Sequence, residues 1–228
     1  MENMEINPSK IFEVYESRRN SKRQLYTASL AGGHKVYGEN TVTQDGVEFR
    51  EWNPFKSKLA ASILKGSPNI FIRKNDVVLY LGSASGTTVS HVSDIVGRKG
   101  LIFAVDISPR VMRDLIFVCY ERKNIAPILA DANKTGMLLS RVSAVDSVYQ
   151  DIAQRNQIEI FLKNTDIFLK SEGYGLLAVK ARSIDVNKQP KKIFSEVNLE
   201  LKRHFSVIDF RELDPFQKDH CMFIVKKK

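Results

Sequence analysis

Cysteine is close to absent: the 228 residues contain two, Cys119 and Cys221. The first falls in a helix-like stretch and the second in a strand-like one. Neither a disulfide framework nor a zinc site is expected, and both read as buried small apolar residues. The four histidines, His34, His91, His204 and His220, show no metal-ligand spacing, so no metal is expected. Apolar runs are short, none reaching the roughly 18 residues that cross a bilayer as a helix. The opening Met-Glu-Asn-Met-Glu lacks the basic-then-apolar order of a secretory leader. These gaps point to a cytoplasmic protein with no membrane partner. Internal repeats and low-complexity stretches are missing too, which removes repeat arrays and disordered tails. Acidic charge is in short supply: 26 Asp and Glu face 35 Lys and Arg, a formal charge of +9 that favours a polyanionic partner. The basic residues form scattered clusters, such as Arg18-Arg19, Lys56 with Lys58, Arg73-Lys74 and Lys191-Lys192. Such scatter describes the charged surface of a folded body rather than a basic arm.

What is present suffices for a sizeable core, since 43% of the residues are hydrophobic. The length leaves room for one α/β domain of about 150 to 200 residues plus a small appendage. From about Ile11 to Trp52, β-formers at 12–15, 24–30 and 47–52 are separated by Gly32-Gly33, Gly38 and Asp45-Gly46, the pattern of a small β module. The period changes after Asn53-Pro54, where Leu59, Ala60, Ile63 and Leu64 recur at helical spacing. We place a boundary there, giving a small N-terminal β domain over 1–56 and a second domain over 57–228.

In the second domain, Val77 to Leu81 and Leu101 to Val105 read as strands buried on both faces. Val89, Val92 and Val96 mark a helix face ended by Gly97, and Ser108-Pro109 supplies an N-cap and a first-turn proline for the next helix. Further strands fall at 127–130, 145–149, 175–181, 205–210 and 220–225, with helices over 156–169 and 191–204. This alternation predicts a doubly wound, mostly parallel, seven-stranded Rossmann-like α/β sheet. The last two strands have only a loop between them and should pair as an antiparallel hairpin at one edge.

The chemistry starts at Gly82-Ser-Ala84-Ser-Gly86-Thr87-Thr88, a small-residue turn between a buried strand and a helix. Small residues let a ligand approach the backbone, and the helix start offers unpaired N–H groups. A plain tight turn would look the same. Strand two, however, ends in Asp106, where an acid binds a ribose diol in doubly wound folds. The middle glycine of a dinucleotide-binding turn is replaced by Ala84, which suits adenosylmethionine, an adenosine without phosphates. Asp131, after strand three, is placed either to bond the adenine edge or to cap a helix.

Five segments then carry a resemblance, in order along the chain: Arg-Glu-Trp-Asn-Pro-Phe-Lys-Ser-Lys58-Leu-Ala-Ala, Leu-Tyr-Leu-Gly82-Ser-Ala-Ser-Gly-Thr-Thr-Val-Ser-His-Val-Ser-Asp, Tyr-Gln-Asp151-Ile-Ala-Gln154, Lys180-Ala-Arg-Ser-Ile-Asp and Lys-Asp-His220. They resemble the signature segments of the fibrillarin family, over roughly residues 36 to 225 and in the archaeal form without a Gly/Arg-rich leader. The resemblance implies a methyltransferase sheet that holds S-adenosyl-L-methionine through Gly82, Ala84, Thr87, Thr88, Asp106, Ile107, Asp131, Ala132, Asp151, Ile152, Ala153 and Gln154. The family's usual Glu-Phe is here Asp106-Ile107, which removes an aromatic face for adenine.

The resemblance further implies ribose 2'-O-methylation of rRNA or tRNA at sites chosen by a box C/D guide RNA. It implies two protein partners, a Nop-family scaffold and a kink-turn-binding protein of ribosomal type, and a catalytic set of Lys58, Asp151, Lys180 and His220. Lys180 should lie on a central strand, where burial and the second cation Lys58 favour a proton-accepting amine while Asp151 favours the ammonium. General base and orienting donor both remain open, as does a structural role for His220. Two rival functions are a ribonucleoprotein scaffold without catalysis and a methyltransferase of small molecules or proteins. The joint presence of Lys58, Asp151 and Lys180 counts against both.

Overall fold

A computed structural model describes residues 5–19 and 22–228. The N-terminal part is a five-stranded antiparallel sheet of β1 (Asn7–Pro8), β2 (Tyr15–Arg19), β3 (Lys22–Ala28), β4 (Thr41–Gln44) and β5 (Val47–Glu51), ordered β1-β2-β3-β5-β4. Asp45 and Gly46 join β4 to β5 with φ of +51° and +76°, the two-residue hairpin turn whose twist matches that of the strands. The strand expected from Phe12 begins only at Tyr15, because Glu13 adopts φ of +54° in a turn. The boundary expected at residue 56 falls in the turn between β5 and helix α1 (Lys58–Leu64).

The remainder contains, in order, β6 (Val77–Leu81), α2 (Thr87–Val96), β7 (Leu101–Asp106), α3 (Pro109–Glu121), β8 (Ile125–Leu129), β9 (Val145–Gln150) and α4 (Gln157–Phe168). They are followed by β10 (Leu169–Lys180), α5 (Ala181–Ile184), α6 (Pro190–His204), β11 (Phe205–Glu212) and β12 (His220–Lys227). Up to β10, strands alternate with helices except between β8 and β9, which a loop with one short 3-10 turn connects. The seven strands are ordered β11-β12-β10-β9-β6-β7-β8. β8, β7, β6, β9 and β10 are parallel, while β12 runs antiparallel between β10 and β11. The hairpin expected at one edge is present. β10 starts earlier than the expected 175, with a register irregularity between Leu169 and Tyr174.

Successive side chains of a strand point to opposite faces, which makes this a three-layer body. Val78 and Tyr80 of β6 join the core that holds Val89, Val92, Ile95, Met112 and Leu115 of α2 and α3. Leu79 and Leu81 join the other core, with Ile160 and Phe161 of α4 and Ile193 and Val197 of α6. The N-terminal sheet is not separately cored: Ile11, Val14, Leu25 and Trp52 belong to the α2/α3-side core, leaving Ile6, Tyr26 and Phe49 as a small outer cluster. Cys221 is buried as expected; Cys119 is only half-buried, and that burial pushes its thiol up to about 11. Among the described residues, no helix is long and apolar enough to cross a membrane.

Candidate functional site

Strand order reverses between β6 and β9, and ligands bind in such sheets where the carboxyl ends of the strands splay at that switch point. A cavity of about 270 Å³ opens there. Gly82 and Ala84 follow β6, Asp106 ends β7 with Ile107 beyond it, Asp131 and Ala132 follow β8, and Asp151 to Gln154 follow β9; all line the cavity. Ten of the twelve residues expected to hold a cofactor are therefore brought together. The spacing argument missed Val105, Ala130 and Ile160, which also line it. The first two immediately precede Asp106 and Asp131, and Ile160 lies on the buried face of α4.

The turn is held open by backbone geometry. Gly82 has φ of +83°, and a Cβ there would meet the Asp151 carbonyl oxygen at 2.4 Å, so only glycine fits. Asp106 ties the turn to the next loop, its Oδ2 accepting from Ala84 N at 2.9 Å and its Oδ1 from Ser108 N at 2.9 Å. A carboxylate has about four lone-pair sites, so capacity remains for a diol at the cavity wall. Ile107 is 56% exposed and offers an aliphatic surface where an aromatic would stack.

Thr87 and Thr88 open α2 and are not among the residues that line the cavity. Thr88 is buried and donates to Ser57 Oγ at 3.0 Å, and Ser57 also accepts from Trp52 Nε1 at 3.0 Å while capping α1. The helix start turns this hydroxyl toward the N-terminus of α1.

The four expected catalytic residues do converge. Lys58, at the first position of α1, places Nζ 2.9 Å from Asp151 Oδ2, joining residues 93 apart in sequence across the cavity rim. Lys180 and His220 are opposite each other in the β10–β12 register. His220 is held below its ordinary value, first by burial and then by the charges of Lys58 and Lys180, with Lys218 and Asp151 acting the other way. Its Nδ1 lies 2.6 Å from Lys218 O; a carbonyl only accepts, so Nδ1 carries the proton and Nε2 of the neutral ring is an acceptor. Lys180 corrects the expectation of burial: it ends β10 with an exposed side chain that makes no hydrogen bond or ion pair among the described residues. Beneath them, the Tyr80 and Tyr149 rings meet at 4.5 Å with their planes tilted by 36°, and burial holds both phenols well above 10. They stay protonated and are excluded as proton acceptors.

A second polar assembly lies behind α2. Arg50 of β5 bonds Glu39 at 2.6 Å and Asp94 at 2.7 Å, and Asp94 also receives Arg122 at 2.5 Å and Thr27 at 2.7 Å. His91 stacks on Trp52, with ring nitrogens 2.7 Å from Thr27 Oγ1 and 2.8 Å from Tyr37 Oη. Burial and the charges of Arg50 and Arg122 hold His91 well below its ordinary value, so the ring is neutral.

Seven strands with an antiparallel β12, an acid at the tip of β7 and a glycine turn after β6 define a Rossmann-like methyltransferase fold with an added N-terminal sheet. Comparison with known proteins agrees. The fibrillarin family model matches residues 6–228. A fibrillarin-like rRNA/tRNA 2'-O-methyltransferase of Thermococcus gammatolerans is 49% identical over 204 residues, 90% of each chain. Among solved structures, Aeropyrum pernix fibrillarin in complex with natively bound S-adenosyl-L-methionine aligns with a TM-score of 0.89 and 41% identity over 97% of both chains. The fibrillarin of a fibrillarin/Nop5p complex aligns with a TM-score of 0.85 and 41% identity, over 96% of this chain and 99% of that one. The chain belongs to the fibrillarin family.

Proposed function

We propose that this chain transfers the methyl group of S-adenosyl-L-methionine to the 2'-hydroxyl of rRNA and tRNA riboses, within a complex containing a Nop-family protein. The observation that carries it is the Lys58–Asp151 pair at 2.9 Å on the rim of the switch-point cavity, with Lys180 and His220 facing each other beside it. The cavity fits the cofactor: Asp106 presents acceptors for a diol, Val105, Ala130, Ile152 and Ile160 give an apolar wall for adenine, and the cradle at Gly82 admits no side chain. When bound, the cofactor supplies a methyl already activated as an electrophile, so positioning of the nucleophile carries much of the rate.

The protein's residues do that positioning. Lys58 fixes the Asp151 carboxylate. Lys180 is exposed rather than buried, so the desolvation on which a general-base role would rest is missing. We assign it to orienting the 2'-oxygen by donating a hydrogen bond. Neutral His220, with Nε2 free to accept, is placed to take the released proton or pass it to water. Target choice by a box C/D guide RNA, and a kink-turn-binding protein as third partner, belong to the same proposal, as does a cytoplasmic location. The charge of +9 suits sequence-independent phosphate contacts.

The test is tritiated methyl transfer to a guide-matched RNA in the assembled complex. A 2'-deoxy target nucleotide should abolish it, and Lys180→Ala, by losing the orienting donor, should lower the rate by about 10²-fold with cofactor affinity kept. Lys180→Arg should retain appreciable activity, because a guanidinium donates hydrogen bonds but accepts no proton at neutral pH. Full activity of Lys180→Ala removes Lys180 from the mechanism.

A further inference from the structure

Gln157 opens α4, is fully buried, and belongs to neither the expected cofactor set nor the expected catalytic set. Both ends of its side-chain amide are engaged. Nε2 donates to Gln154 O at 2.9 Å and to Lys180 O at 3.3 Å, and Oε1 accepts from Lys180 N at 3.1 Å. The partners fix the orientation of this amide, since a backbone N–H only donates and carbonyls only accept. The main chain of Gln157 joins in, with its N–H donating to Gln154 O at 3.2 Å and its carbonyl accepting from Gln150 Nε2 at 2.6 Å. Gln150, also fully buried, is the last residue of β9, next to Asp151. One side chain thus touches both the loop that lines the cofactor cavity and the last residue of the strand that carries Lys180.

We propose that Gln157 is a positioning residue for methyl transfer, setting the end of β10 in register with the cofactor loop so that Lys180 and the cavity keep a fixed separation. Nothing else among the described hydrogen bonds links the Gln154 main chain to Lys180 directly. The Lys180 N–H and C=O lie at the point where β10 gives way to α5, and β9 pairs with β10 only as far as Leu177. The amide of Gln157 supplies the lateral tie that the strand ladder no longer provides on that side. A hydrogen-bonded amide is directional, so it holds this spacing in a way that an apolar side chain of equal volume would not.

The inference rests on the role proposed above for Lys180, and Lys180→Ala tests that role separately. The decisive variants are Gln157→Met, which fills the space without hydrogen bonds, and Gln157→Glu. The glutamate keeps the acceptor but turns a carboxylate oxygen toward two carbonyls. Two quantities are read in the assembled complex: the S-adenosylhomocysteine dissociation constant by titration, and the single-turnover methylation rate at saturating cofactor. Neither depends on the fraction of inactive protein, so partial unfolding does not mimic the effect. We expect Gln157→Met to weaken the ligand by about 3- to 10-fold, the range of lost hydrogen bonds, and to slow the saturated rate by about 10- to 100-fold through misplacement of Lys180. Gln157→Glu should be worse on both counts. If Gln157→Met fails to fold, the glutamate variant decides alone. Wild-type values of both quantities in either folded variant overturn the proposal, and a changed affinity with a wild-type saturated rate overturns the link to Lys180.

Discussion

Replacing Gly82 by alanine tests whether the turn after β6 and Asp151, the aspartate proposed to act in catalysis, are one mechanical unit. The backbone at Gly82 has φ of +83°, a region that costs an L-residue about 1–2 kcal/mol. The added Cβ would lie 2.4 Å from the Asp151 carbonyl oxygen and 2.9 Å from its carbon. Non-bonded atoms settle near 3.5 Å, so one segment must retreat by roughly 1 Å. Asp151 is not free to do so without loss, because its N–H donates to Leu81 O at 2.9 Å and its carboxylate is held by Lys58. Overpacking of this kind costs about 1–3 kcal/mol. Together the two effects remove roughly 2–5 kcal/mol from a domain stability of about 5–15 kcal/mol. The variant should therefore fold, yet with Asp151 displaced by an ångström the methylation rate should fall about 10²-fold. Denaturant unfolding measures the first effect and single-turnover methylation with the guide complex the second. A variant destabilised as expected but with wild-type rate and cofactor affinity would refute the coupling.

Three further outcomes are expected. Asp94→Ala leaves Arg50 and Arg122 buried without their shared carboxylate and should cost about 3–5 kcal/mol, read as a lowered urea midpoint; an unchanged midpoint contradicts the assigned network. Ile107→Phe restores a stacking face beside the cavity and should tighten S-adenosylmethionine by about 2- to 10-fold in calorimetry, the equivalent of one aromatic contact. His91 and His220 both titrate below 6.5 in the fold, so the unfolded chain binds more protons once the pH drops under that value. Stability should then be flat above about pH 7 and decline from about 6.5 downward, and urea midpoints rising with acidification would reverse the assigned sign.

Features encoded within a few consecutive residues were legible in the sequence. The glycine turn announces itself by small residues between an apolar run and a helical pattern, and Asp106, Asp131 and Asp151 by acids placed just after buried runs. The bond from Thr88 to Ser57 was not legible, because spacing does not reveal which way the first turn of a helix faces. Lys180 follows four apolar residues, yet its strand ends there and the side chain emerges into solvent. Gln157 had a signal that went unread: it shares the buried face of α4 with Ile160, Phe161 and Asn164, and a polar residue in such a stripe needs a partner. The cluster of Glu39, Arg50, Asp94 and Arg122 had none, because its members come from four separate segments and meet only after both sheets are assembled.

That cluster also governs how the molecule moves as a whole. A two-domain enzyme usually flexes across a wet, loosely packed seam, and such a seam can open to admit a large substrate. Here the seam combines a shared apolar core with interlocked charges of almost no exposure, so sliding one sheet over the other would strand ions in an apolar interior. The cluster therefore opposes hinge opening along that line. Bringing the target nucleotide to the cavity by parting the two sheets would thus cost more than moving both as one piece.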